Sequence, residues 1–333
     1  MTETLVSYSL VAVYSAMGIY TLAFVLFAVD LARRSATSPA GRPAATAEAH
    51  ASASGTTSGT TSGTASGTTR VLERASDAAA FVSHKGPRYL RAAMGLMVLA
   101  WLLHAAAVVL RGVAAGRVPW ANMFEFALTA TAIIVGVFLA TQFWQDLRFL
   151  GVFISGFTLV ALGVGTTNFY VDVVPLPPAL QSVWLVIHVF VATLGTGFFA
   201  LGAGLSIAQL LKARRDAGGL QRLGFLDTLP SAEKLENSAY RLTVIGFVFW
   251  TFTLIAGAIW AERAWGRYWG WDTKEVWTFI IWTLFAGYIH ARATRGWRGS
   301  RSAWLAIIGF SAVVFNFTIV NLFFKGLHAY SGL

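Results

Sequence analysis

Apolar runs of about twenty residues recur along this chain, separated by shorter stretches where charged, aromatic and turn-forming residues gather. A helix of that length crosses a ~30 Å hydrocarbon layer. Eight runs stand out, at about 5–29, 92–110, 123–143, 150–169, 183–210, 242–261, 276–291 and 303–324. The pattern predicts an all-α polytopic membrane protein of about eight transmembrane helices. Even parity puts both termini on one side. The first run has no basic stretch before it, so it reads as a retained helix rather than a cleaved signal. The expected organisation is a first helix (1–34), a flexible linker (35–90) and a seven-helix membrane domain (91–333). Residues 35–70 are rich in Ser, Thr, Gly and Ala, with the near-repeat SGTTSGTASGTT at 58–69, too polar to build a core.

Charge fixes the expected orientation. Of 25 Lys and Arg, 19 fall in the loops after runs one, three, five and seven. Those loops are therefore expected to be cytoplasmic, with both termini outside. The net charge of +10 is then a matter of topology and not a sign of nucleic-acid binding. Six basic residues remain on the other side: Arg111, Arg117, Arg263, Arg267, Lys274 and Lys325. Because the positive-inside tendency disfavours them there, each invites a role. The chain has no cysteine, so any thiol chemistry belongs to a partner.

Between runs six and seven lies WAERAWGRYWGWDTKEVW, residues 260–277, expected on the outer face. It holds Trp260, Trp265, Trp269, Trp271, Trp277 and Tyr268 among six charged residues. Trp at membrane ends ordinarily forms an interfacial belt, but one or two residues per end suffice for that. The other reading is a platform for a flat ligand, with Gly266 and Gly270 allowing close approach and Arg263, Arg267 and Lys274 as partners for its carboxylates. Haem has that shape and charge.

Six histidines accompany it. His50 and His84 fall in or beside the linker and read as solvated. His104 lies within run two, where an ionisable residue is either functional or a hydrogen-bonded core group. Glu125, at the mouth of run three in PWANMFEF, could pair with Arg111 or Arg117. His188 lies near the outer end of run five, and His328 just beyond run eight, so the two flank the aromatic segment. Zinc is disfavoured, since no cysteine or carboxylate cluster is near, whereas two imidazoles suit a haem iron. His290 is 18 residues beyond Asp272, about 27 Å along a helix, and so belongs to the opposite end.

These motifs bring a resemblance with them. WAERAWGRYWGWDTKEVW, continued by YIHARATRGWRG and VNLFFKGLHAYSG, resembles the "WWD" signature of the CcsA or ResC family of system II cytochrome c biogenesis proteins. PLPPALQSVWLVIHV and PWANMFEF resemble the same family, and the likeness covers all but the 35–70 linker. It implies a plasma-membrane protein that binds haem b and presents it on the extracytoplasmic face for covalent attachment to the Cys-x-x-Cys-His motif of apocytochrome c. A ResB/CcsB-type partner is implied, with thioredoxin-like reductants acting indirectly, and this chain as the haem-handling component of a haem lyase. Carried over by motif, His188 and His328 are the iron ligands. Trp265, Trp269, Trp271 and Asp272 form the platform, and His290 corresponds to a transmembrane haem site. Two departures stand out. WDTKE replaces the common WDPKE at Thr273, and run one has no histidine, so a second intramembrane ligand would come from His104 or the partner. A haem transporter that never hosts bond formation is the alternative. Trp-rich proteins of the other maturation pathway share the core, but the eight-run length, KEVW and GLHAYSG favour CcsA. A b-type electron carrier would pair its histidines within a bundle, unlike this scatter.

Overall fold

A computed structural model describes residues 2–37, 88–174, 181–294, 296–324 and 326–328. The linker, His50, His84, Lys325 and the prolines of the loop before run five lie outside the described residues. The rest forms eight long helices in chain order: α1 (Thr2–Thr37), α2 (Arg88–Ala115), α3 (Met123–Thr141), α4 (Gly151–Asn168), α5 (Val183–Asp216), α6 (Ala232–Trp265), α7 (Thr273–Thr294) and α8 (Ser300–Phe315). A π turn, Asn316–Val320, and a last helical turn, Asn321–Phe323, extend α8. All eight apolar runs are helical, and several helices run well past them. The polar stretch 232–241 forms the start of α6, with Ser231 as its cap.

Seven of these helices are long and apolar enough to cross a membrane. The one that is not is α7, which spends positions on Lys274, Glu275, four threonines and His290. Its 22 residues still reach about 33 Å, enough for a crossing by length. The chain is thus a multi-pass membrane protein.

The central helix is α3, buried on nearly every side between α2, α4 and α5. Sequence neighbours pair: α1 packs along α2, and α5 along α6. Gly195, Gly202 and Gly246 line the α5–α6 seam, where a Cβ at Gly202 would lie 2.5 Å from Thr243 Oγ1. Such small residues let helix backbones approach closely where lipid supplies no hydrophobic drive. Tryptophans inside the bundle satisfy their own donors. Trp101 donates to Ala132 O at 2.8 Å and Trp250 to Thr278 O at 3.1 Å.

Two buried polar clusters tie the helices. Near the start of α3, Glu125 is fully buried and accepts from Arg111 Nε at 3.1 Å and Arg117 Nη1 at 2.6 Å. Arg111 also packs against the rings of Phe124 and Tyr170 and donates to Val171 O. So Glu125 takes both arginines that might have paired with it, and these are structural. At the opposite end, Glu236 gathers Arg292, Ser302 and the Gly299 amide, joining α6, α7 and α8.

His104 is spent in packing. Its Nε2 donates to Leu128 O at 2.8 Å, which leaves Nδ1 to accept from Tyr20 at 3.3 Å. Both ring nitrogens are used, so His104 stitches α1, α2 and α3 together and has no nitrogen left for a ligand.

Candidate functional site

At the Trp-rich end, α3 to α8 surround a cavity of about 440 Å³, mostly apolar in lining, of the size that holds a small organic ligand. His188 and His328 both face it, together with Trp260, Trp269, Lys274 and Asn321.

His188 sits a turn and a half into α5, after Ser182 caps the helix. Its Nδ1 is 3.0 Å from Thr253 O on α6. A carbonyl only accepts, so Nδ1 carries the hydrogen and Nε2 is left for the cavity. The imidazole can lie there because residue 257 is glycine, since a Cβ would come within 2.8 Å of His188 Cε1. It stacks nearly parallel to the Trp260 indole, with centroids 5.9 Å apart.

His328 arrives from the chain beyond α8. Its Nδ1 lies 2.9 Å from Asp272 Oδ1, so it too donates from Nδ1 and frees Nε2. Trp260 and Trp265 meet this ring edge-on, with centroids 5.4 and 4.9 Å away. Trp260 therefore touches both imidazoles. The bond from His328 holds the Asp272 carboxyl well below the usual carboxylate range, at about 2.

Asp272 and Glu275 shape the loop. The Asp272 side chain accepts from Lys274 N at 3.0 Å, as the cap of α7, and from Leu327 N at 2.9 Å. Glu275 reaches back three residues to the Asp272 amide, completing a capping box, and also takes the Gly270 amide at 2.7 Å. Between those two amides Trp271 is held at φ +59°, a left-handed conformation costly for a bulky residue. Its indole is 78% exposed and meets Trp269 edge-on.

The expected platform is therefore layered rather than flat. Trp269 lines the cavity, Trp265 packs behind His328, and Trp271 projects away. The three expected cations also separate. Lys274 lines the cavity and donates to Asn321 Oδ1. Arg263 is exposed on the last turn of α6. Arg267 lies across Gly270, so close that a Cβ there would overlap its guanidinium. His290 is exposed at the other end of α7 and takes no part in the cavity. Sequence reasoning did not single out Thr253, Gly257 or Glu275 as parts of this site. Only Glu275 carried a local signal, the Asp-x-x-Glu spacing of a capping box.

The chain is thus a polytopic helical membrane protein with two half-freed imidazoles facing one tryptophan-lined cavity at one end. Residues 92–328 match the family described as cytochrome C assembly protein, and the chain belongs to it. It is 35% identical over 240 residues to a cytochrome c biogenesis protein CcsA of Guillardia theta, covering 67% of this chain and 80% of that one. The CcsA of Synechococcus sp. (strain JA-3-3Ab) is 34% identical over 292 residues, covering 70% and 83%. The CcsA of Synechocystis sp. (strain ATCC 27184 / PCC 6803 / Kazusa) is 32% identical over 297 residues, covering 73% and 89%. Among solved structures, a "Cytochrome c Heme Lyase CcmF" superposes with a TM-score of 0.60 at 16% identity, over 98% of this chain and 48% of that one. That likeness is one of fold, and this chain spans about half of the larger protein. The chain's role is in cytochrome c maturation.

Proposed function

We propose that this protein binds haem b in the cavity, with His188 and His328 as the iron ligands, and presents it for attachment to the Cys-x-x-Cys-His segment of apocytochrome c. The observation that carries the reading is that both histidines have Nδ1 committed to an acceptor and Nε2 left over, within one cavity and against one indole. That is the pattern of metal-ligating histidine: an oxygen acceptor on one nitrogen fixes the tautomer and orients the other. The donor set suits an iron porphyrin, since two neutral imidazoles and apolar walls match a bis-histidine haem.

Haem supplies the vinyl groups to which the client's thiols add. Each thiol places sulfur on one vinyl carbon and its hydrogen on the other, with no net oxidation. The chain's residues position and shield. Trp260 and Trp269 wall the cavity, Asp272 steadies His328, and among the described residues no side chain is placed as a nucleophile. Catalysis by this chain is then a matter of held geometry. A ResB/CcsB-type partner completes the assembly, and thioredoxin-like reductants keep the client thiols reduced. The Trp-rich end faces the extracytoplasmic side of the plasma membrane. His290, exposed at the other end of α7, suits a second haem position completed by the partner.

The purified full-length chain should carry haem with a six-coordinate, two-imidazole absorption spectrum, and that signature should be lost on replacing His188 or His328. A chain that takes up no haem, or whose haem spectrum ignores both histidines, would overturn the assignment. Orientation is tested separately in the cysteine-free background. An impermeant thiol reagent on intact cells should label a cysteine placed at position 268 and spare one at position 60. The reverse pattern would invert the topology.

A further inference from the structure

Away from the histidines the cavity wall holds a second polar cluster that the reading above leaves unused. Asn122, 5% exposed, spends Oδ1 on the Glu125 amide at 2.9 Å as the cap of α3. That bond settles which end of the amide is which. Its Nδ2 is buried on the cavity wall with no partner among the described residues. Lys274 stands on the same wall, and its described hydrogen-bond partner is Asn321. Asn321 Nδ2 in turn contacts Met123 Sδ at 3.2 Å, a weak acceptor. Residues 122 and 123 being adjacent, Lys274, Asn321, Met123 and Asn122 form one connected patch across α7, α8 and α3.

A half-buried ammonium and a buried, unanswered amide N–H are both costly unless something completes them. The patch also lies where α3 and α7 begin, and the positive ends of two helices favour an anion there. Two acceptors share this wall. Glu275 Oε1 is buried without a partner, but the charge of Glu275 is committed through Oε2 to the amides of Gly270 and Asp272. Asn316 Oδ1 is also unpartnered, and turning that amide end for end presents a donor instead.

We propose that this patch is a carboxylate subsite, taking one propionate of the bound haem on Lys274 Nζ and Asn122 Nδ2, with Asn321 holding the lysine in place. The proposal rests on the haem reading of the same cavity. It replaces the expectation that Arg263, Arg267 and Lys274 share the propionates, because Arg263 is exposed and Arg267 is folded over Gly270. It also orients the ligand. The propionate edge turns into the wall between α3, α7 and α8, and the vinyl edge is left for the client.

The test compares haem with its dimethyl ester, in which both carboxylates are masked, by spectral titration of the full chain in detergent. The variants are Lys274→Gln and Asn122→Asp. The second keeps the oxygen that caps α3 and removes the donor. Wild type should bind haem at least about tenfold more tightly than the ester, the worth of one charge-assisted hydrogen bond. Both variants should lose that preference while binding the ester as wild type does, with the two-imidazole spectrum intact. Equal affinity of wild type for the two porphyrins, or equal weakening of both by the variants, would overturn the subsite and leave the histidine ligation standing. Failure of the haem reading looks different: neither porphyrin would give an imidazole-ligated spectrum, and the subsite would fall with it. Equal thermal midpoints for the three proteins exclude misfolding as the cause.

Discussion

Alanine at His188 or at His328 should remove the six-coordinate haem spectrum and cut the yield of covalent cytochrome c by more than tenfold, without unfolding the protein. Neither ring holds the bundle together. His188 occupies the space left by Gly257, and His328 lies beyond the last helical turn. Added imidazole should occupy the vacancy and recover part of the yield. Asp272→Ala should give a milder version, a loss of about 10 to 100-fold in haem affinity, as expected when the group that orients a ligating histidine is removed. The carboxyl of Asp272 is depressed to about 2, so its contribution is complete above the ordinary carboxylate range and is lost only as pH falls through about 2. Haem affinity should therefore show no step from this carboxylate between pH 5 and 8. Single alanines that leave both spectrum and yield unchanged would sink the ligand assignment.

The second large effect is expected at a residue that does not line the cavity. Glu125→Ala leaves Arg111, itself fully buried, and Arg117 without their shared carboxylate. Stripping one partner from a buried ion cluster costs about 3–5 kcal/mol, because an uncompensated charge stays behind. The variant should fail to accumulate or unfold well below wild type in detergent. By contrast, loss of the Asn122 cap alone should cost about 1 kcal/mol. A Glu125→Ala protein with a wild-type midpoint would show that the arginines reach water or another anion.

The helices were legible because lipid imposes a length and a composition on any segment that crosses it, and seven of the eight apolar runs obeyed both. The one segment that strains the rule, α7, does so because Lys274 and Glu275 at its start serve the cavity and the loop. Much of the site was legible for a different reason. His188 is a costly residue type within an apolar run, the tryptophans are denser than an interfacial belt needs, and His328 follows the last run beside them, so their positions mark them. The partners of those residues were hidden. Thr253 acts through a backbone carbonyl, which every residue has, and Gly257 acts by lacking a side chain. The opposed fates of Lys274 and Arg267 depend on which way each turns out of a short loop. His104 shows the reverse case, a conspicuous residue whose two nitrogens are both consumed by neighbours 84 and 24 positions away.

The π turn at Asn316–Val320 bears on how α8 serves two neighbours at once. Before it, the helix keeps strict time with the core: Ala306, Gly309 and Val313 are buried, and Gly309 gives way to the face of Phe285. After it, Asn321 must meet Lys274. An i→i+5 ring takes one residue more than an α turn, which slips the remaining chain by about 100° against an unbroken helix. The turn therefore works as a vernier between a packing face and a binding face, with Asn321 and, seven residues on, the cavity-facing Nε2 of His328 set by the second scale.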